Sequence, residues 1–182
     1  MVKIRDQKIL LTGATGQLAY SVGKDLGTAN TVHAIARFGT PGSRGRLEEA
    51  GLQCIPFDYV NDDLGRLDDD YDYVVHLATT QSPGDDDFER AIEVNAVATG
   101  RLMAHFPKVK AFFFSSTCSV YQPNGHVPLK ETDPLGDAMR GHCPIYSISK
   151  VAAEAVVKFV SNRFGIPAVI ARMNVGYGPG GG

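Results

Sequence analysis

Tyr146-Ser147-Ile148-Ser149-Lys150 sets a phenol and an ammonium four residues apart, a spacing that places both on one face of a helix. A phenol ionises near pH ~10 and carries protons poorly at neutral pH until a neighbouring cation favours the phenolate. Tyr146 is therefore a candidate general acid/base, with Lys150 as the group that tunes it. Spacing alone decides nothing, because Tyr20 and Lys24 repeat it. Context separates the two pairs. The pair at 146 and 150 follows an apolar run that ends in hydroxyls, Phe114-Ser115-Ser116-Thr117. There Thr117, with Ser116 as competitor, can hydrogen-bond a substrate oxygen and the phenol together. The plainer reading is that these hydroxyls satisfy their own backbone, as Ser and Thr often do. Cys118 has no activating histidine pattern beside it and reads as packing.

A second constellation is the turn Leu11-Thr12-Gly13-Ala14-Thr15-Gly16-Gln17-Leu18-Ala19, which follows the first apolar run and opens a helical pattern. Gly13 permits the tight turn, and Gly16 removes a Cβ where a pyrophosphate would approach. The free N–H groups of the helix start, over Thr15, Gln17 and Leu18, face that anion. The end of the second strand, Ala34-Ile35-Ala36-Arg37, carries no carboxylate for ribose hydroxyls. Instead Arg37, followed by Arg44 and Arg46 in a Gly-rich loop, offers guanidinium to a 2′-phosphate. The balance tips to NADP over NAD; otherwise these arginines are surface charge and Asp58 alone holds the adenosine. A nicotinamide cation beside Tyr146 would further favour its phenolate.

These groups need a scaffold, and the apolar runs supply one. Strands are expected at Lys8-Thr12, Thr31-Ala36, Gln53-Phe57, Tyr73-Leu77, Ala111-Ser115 and Ala168-Met173, alternating with helical patterns. Short, continuously apolar strands of this kind belong to a parallel sheet covered on both faces, so the fold class is α/β, a doubly wound Rossmann sheet, in one domain over residues 1–182. Phe88, Ile92, Asn95, Thr99 and Leu102 share one inward helical face, and a helix from Ile145 to Phe164 carries Tyr146, Lys150, Ala153 and Val157 on one stripe before Gly165 and Pro167 stop it. With 18 Lys+Arg against 20 Asp+Glu, the net charge of -2 gives no electrostatic case for nucleic acid or an anionic membrane. No apolar run reaches the roughly 18–20 residues that span a bilayer. Three cysteines, Cys54, Cys118 and Cys143, too far apart for a CxxC site, fit a reducing, cytoplasmic compartment. The aspartate runs 68–70 and 85–87 read as solvated loops or helix starts, since adjacent residues do not converge on one ion. His33, His76, His105, His126 and His142 are scattered, so no metal site is expected, and His76, inside a strand, reads as a buried hydrogen-bonded histidine.

Taken in order, these motifs resemble the extended short-chain dehydrogenase/reductase family, of the NAD(P)-dependent epimerase/dehydratase type. The resemblance runs through TGATGQLA at 12–19, Asp58, DYVVHLAT at 72–79, Asn95, FFSSTCSVY at 113–121, PLKETDP at 128–134, PIYSISK at 144–150 and ARMNVGYGPGG at 171–181. It implies that Asp58 and Tyr59 line the adenine and that Leu77, Ala78 and Thr79 run along the cofactor. Asn95 anchors the loop or helix that shapes the site. Thr117, Tyr146 and Lys150 match the catalytic Ser/Thr, Tyr and Lys, with Ser115 beside the cofactor, and Met173, Asn174 and Val175 reach the nicotinamide end. Nucleotide sugars are the commonest substrates of such proteins, and a homodimer through the two long helices is a further expectation.

The chain departs from that pattern at Thr79, where alanine is common, and at Gly176, an extra glycine before Tyr177-Gly178-Pro179. Members of the family also continue into a C-terminal region that supplies most of the substrate pocket, whereas this chain stops at Gly180-Gly181-Gly182, as if cut at a loop. The resemblance implies an oxidoreductase, epimerase, dehydratase or reductase that oxidises an alcohol or reduces a keto group by hydride transfer. The alternative is a nucleotide-binding module or redox sensor that recognises NADP and does no chemistry; the tyrosine-lysine pair argues against it.

Overall fold

The computed structural model describes residues 4–81, 87–136, 144–174 and 176. Six parallel strands, β1 Lys8–Thr12, β2 Thr31–Ala36, β3 Gln53–Pro56, β4 Tyr73–His76, β5 Ala111–Thr117 and β6 Ala168–Met173, form one sheet in the order β3-β2-β1-β4-β5-β6. The doubly wound expectation holds. The order reverses between β1 and β4, and the crevice at their C-terminal ends is where open α/β sheets take ligands.

Alternating side chains split the core in two. On one face Ile9, Leu11, Val32 and Ala34 pack beneath Ala19 and Leu47, which belong to α1 (Gln17–Gly27) and α2 (Ser43–Glu49). On the other, Leu10, Val74, Phe112 and Phe114 pack against Leu102, Met103 and Val157, from α4 (Ala98–His105) and α5 (Pro144–Phe164). Phe112 and Phe114 are fully buried, and burying an aromatic of this size contributes about 3 kcal/mol.

The expected strands match with small shifts at their C-terminal ends. β5 runs on to Thr117 because β6 pairs with it there, Ser116 against Arg172 and Thr117 against Met173. Helix α5 starts with Pro144 at a position where its missing N–H costs no bond, and stops where Gly165 takes a positive φ of 69°. Two expectations are corrected. Arg44 and Arg46 lie on α2 and not in a Gly-rich loop; Leu47 anchors that helix in the core and an Arg44–Glu48 ion pair at 2.7 Å spans one of its turns. The shared inward face from Phe88 to Leu102 is also broken, because Phe88 is 60% exposed whereas Asn95, Thr99 and Leu102 are buried. Between α3 (Phe88–Ile92) and α4 the helix makes a π-turn over Glu93–Val97. Its wider turn rotates the first residues away from the face that follows.

Candidate functional site

The glycine turn leaves β1 at Thr12 and passes the end of β4. At Gly13 φ is 67°, and a Cβ there would lie 2.7 Å from the Cα and N of Ala78. Only glycine lets the two backbones meet. Gly16 is the N-cap of α1, and its N–H bonds the Gly13 carbonyl at 2.8 Å. Without a capping side chain, the first-turn N–H groups at Gln17 and Leu18 sit at the open end of the helix. Helix α1 packs closely on the sheet through Ala19, which is buried, and Gly23, where a Cβ would meet Leu11 Cδ2 at 2.8 Å.

Above this turn lies a cavity of about 370 Å³. The structure brings Gly13, Thr15, Gly16, Arg37, Asp58, Tyr59, Leu77, Ala78 and Thr79 together around it, all of them singled out from the sequence. Ile35, Ala36 and Phe57, at the ends of β2 and β3, line it too, and Val60, Thr80, Arg90 and Val94, which sequence reasoning missed, complete the lining. Arg90 comes from α3, whose distance along the chain from the glycine turn follows no motif. Asp58 accepts from the Val60 N–H at 3.0 Å and from Asn61 Nδ2 at 2.8 Å. Burial opposes its ionisation, but these hydrogen bonds and the charges of Arg37 and Arg90 hold its carboxyl below the ordinary range. Tyr59 donates to the Val94 carbonyl at 3.0 Å, and burial raises its phenol well above the usual value. Of the three arginines proposed for a phosphate, only Arg37 lines the cavity. Arg46 stacks over the Tyr20 ring at 3.7 Å, which accounts for the Tyr20 of the decoy pair, and Arg44 is held by Glu48.

Asn95 stands behind the wall of the cavity. Its Oδ1 accepts from the Thr79 hydroxyl at 3.0 Å and the Thr80 N–H at 2.9 Å, while its Nδ2 donates to the Thr80 carbonyl at 3.0 Å and to Ser149 Oγ at 2.9 Å. It thus ties the loop after β4 to the first turns of α5, the helix that carries Tyr146 and Lys150. Lys150 is buried; its Nζ donates to the Ser115 carbonyl at 2.6 Å and lies 4.2 Å from the Phe114 ring centroid. Burial pushes the ammonium down to about 7, with the Glu154 carboxylate acting in the other direction. Tyr146 is half-buried in the first turn of α5. Thr117 accepts from the Ser119 N–H at 3.2 Å, so it does satisfy local backbone, while Ser116 is committed to Glu154 at 2.6 Å.

Glu154 and Arg172 are the other residues the sequence reading missed. Glu154 is buried and takes two bonds from the Arg172 guanidinium, 2.9 Å from Nε and 2.8 Å from NH2. Burial works against its charge, but Arg172 and Ser116 hold the carboxyl low. The pair closes one side of a second cavity, about 710 Å³, that also meets Cys118, Tyr121 and Asn174. Met173 and Asn174 stand at the end of β6, away from the first cavity, with Cys118 Sγ 3.5 Å from Asn174 Oδ1. Val175, Cys143 and the aspartates at 85 and 86 lie outside the described residues. Asp87 caps α3 through the Arg90 N–H, and Asp68 and Asp70 bind Lys8. Among the described residues no group of three or more His, Cys, Asp or Glu can hold a metal, and no helix is long and apolar enough to cross a membrane.

A glycine turn closed against a strand end, at the switch point of a 3-2-1-4-5-6 parallel sheet, defines a nucleotide-binding α/β domain of the Rossmann type. The sequence matches the family described as NAD dependent epimerase/dehydratase over residues 9–182, and the chain belongs to that family. Comparison with curated proteins returned no match. Among solved structures it is similar to UDP-glucuronic acid 4-epimerase from Bacillus cereus in complex with NAD, at 28% identity and a TM-score of 0.81, covering 94% of this chain and 57% of that one. UDP-N-acetylglucosamine 4-epimerase from Methanobrevibacter ruminantium M1, in complex with UDP-N-acetylmuramic acid, is 26% identical with a TM-score of 0.81, covering 93% and 55%. A short-chain dehydrogenase/reductase superfamily protein from Agrobacterium tumefaciens with bound NAD is 27% identical, with a TM-score of 0.72, covering 91% and 48%. The chain therefore spans about half the length of these relatives.

Proposed function

We propose that residues 1–182 are the NAD(P)-binding part of an enzyme that interconverts an alcohol and a ketone on a nucleotide sugar, as an epimerase, dehydratase or reductase. The observation that carries the reading is the Lys150 amine on the Ser115 carbonyl at 2.6 Å. It holds the tyrosine-lysine helix against the end of β5, beside the strand whose exit forms the cavity wall. The cavity fits a dinucleotide: the turn at Gly13 and Gly16 takes the pyrophosphate, Asp58 and Tyr59 the adenine, and Arg37 a 2′-phosphate. NADP is accordingly the preferred cofactor in this reading, although two of the three structures named above were solved with NAD. In this reading Leu77, Ala78 and Thr79 continue along the cofactor, and Met173 and Asn174, at the end of β6, are assigned to its nicotinamide end.

When bound, a nicotinamide ring supplies the acceptor for the two electrons of the alcohol carbon. Tyr146 Oη takes the proton of the substrate hydroxyl, and Lys150, while charged, stabilises the phenolate. The Thr117 hydroxyl orients the reacting oxygen. For an epimerase the electrons return to the same substrate, and Tyr146 gives the proton back. We further place the protein in the cytoplasm, where free Cys54 and Cys118 persist, and expect a two-fold dimer through α5, whose Ile148 and Phe159 are exposed.

Calorimetric titration of the chain with NADP and with NAD tests the cofactor reading. NADP is expected to bind more tightly, and Arg37→Ala to weaken NADP about tenfold or more while leaving NAD within about twofold. Preference for NAD would remove Arg37 from the site. For the chemistry, UDP-sugar turnover should vanish in Tyr146→Phe; turnover that survives the substitution rejects the assigned base.

A further inference from the structure

His76 is completely buried in β4, and both its ring nitrogens are engaged: Nδ1 lies 2.7 Å from Thr12 Oγ1 and Nε2 lies 2.9 Å from Thr99 Oγ1. The partners fix the proton positions. The Thr99 hydroxyl donates to the Asn95 carbonyl at 2.8 Å, so its oxygen accepts from His76 Nε2–H. Nδ1 then presents a lone pair and accepts from the Thr12 hydroxyl, whose oxygen in turn accepts the Ala78 N–H at 3.2 Å. Every hydrogen in the chain is used once, and the ring is neutral. Burial, with the Lys150 charge as a smaller contribution, drives the imidazole down to about 3, in keeping with that state. The ring is also caged, edge-on to Tyr59 at 5.2 Å and stacked on Phe114 at 6.0 Å, so it has no room to turn.

The two branches from this ring end on the same piece of chain. Through Thr12 the imidazole reaches Ala78; through Thr99 it reaches Asn95, which holds Thr79 and Thr80 by three hydrogen bonds of 2.9–3.0 Å. Leu77–Thr80 is the wall that closes on Gly13. We infer that His76 is a positioning residue for the cofactor cavity, its neutral imidazole setting the Leu77–Thr80 wall through Thr12 on one side and Thr99 and Asn95 on the other. The inference rests on reading that cavity as the dinucleotide site. It assigns His76 a task distinct from both metal ligation and proton transfer: the ring does not line the cavity and acts by holding backbone donors in place.

The test uses the whole chain in four forms: unaltered, Thr12→Val, His76→Gln and, as a core control remote from the cavity, Ile166→Val. Thr12→Val nearly keeps the volume of the side chain and replaces its hydroxyl by a methyl, so it remains informative if His76→Gln does not fold. Hydrogen exchange of the nucleotide-free chain should show amides Ala78 and Thr80 losing protection about tenfold in Thr12→Val and His76→Gln, and keeping it in Ile166→Val. Calorimetry with NADP should show the same two variants binding about tenfold more weakly and the control unchanged, even where their melting temperatures are equal. Long-range proton–nitrogen NMR should find the His76 ring as the Nε2–H tautomer from pH 5 to 8. Unchanged protection at both amides, or an Nδ1–H tautomer, overturns the inference. Failure of the unaltered chain to bind either nucleotide overturns the cofactor reading instead, and the exchange data then still decide whether His76 sets the wall.

Discussion

At the scale of the residue, Gly13 carries the sharpest constraint. Its positive φ would cost an alanine about 1–2 kcal/mol by itself, and the added Cβ would also stand 2.7 Å from the Ala78 backbone. Gly13→Ala should therefore lower stability by at least that amount in urea titrations and abolish measurable NADP binding, since the wall must move away. The role of Gly13 was readable because few other residues suit a turn between a strand and a helix. The arginines show the opposite. Arg37, Arg44 and Arg46 look alike in sequence, and only their neighbours in the fold, Asp58 for the first, Glu48 one turn along α2 for the second and the Tyr20 ring for the third, separate a cavity-lining guanidinium from two engaged ones. Arg90 had no signal at all, because what brings it to the cavity is the path of α3 after β4.

At the scale of the element, α5 is fastened to the sheet at two levels one helical turn apart: Lys150 to the Ser115 carbonyl, and Glu154 to Ser116 and Arg172. The second fastening joins α5, β5 and β6 through a carboxylate that is only 1% exposed. Removing the carboxylate leaves the largely buried Arg172 guanidinium without its counter-ion, though still on the Glu131 carbonyl, so Glu154→Gln should destabilise the chain by up to about 3 kcal/mol. Thermal melts at fixed ionic strength measure this, and Arg172→Gln in the Glu154→Gln background should recover part of the loss. Helix α4 approaches α5 at Gly100, where a Cβ would lie 2.5 Å from Val156 Cγ1. Gly100→Ala should push the helices apart and lower the melting temperature, despite the better helix propensity of alanine. Strand positions were readable since continuous apolar runs have few other uses. The π-turn was not, because its cause is tertiary: it lets Asn95 reach both the Thr80 backbone and Ser149, and no period in the sequence announces an extra residue in one turn.

For the whole molecule, the buried Lys150 sets a pH dependence. Its pKa is about 7 in the fold against 10.5 unperturbed. Between those values the unfolded chain binds a proton that the native chain does not, so this group makes stability rise with pH from about 7 to 10.5. Below that window both states carry the charge and the burial penalty is undiminished. Lys150→Met should flatten the rise, as urea midpoints at pH 7, 8.5 and 10 would show. The doubly wound parallel sheet was the part of the whole best foreseen, since alternating apolar runs and helical patterns have one common solution.

The position of β1 has a consequence for how the protein is made. Its two partners start 23 residues downstream, Lys8 against Thr31, and 64 residues downstream, Ile9 against Tyr73. A chain emerging from the ribosome at about 5–20 residues per second leaves one edge of β1 unpaired for roughly 3–13 s while those 64 residues follow. Through that interval the glycine turn exists without its wall, and an apolar strand edge stands open to other nascent chains.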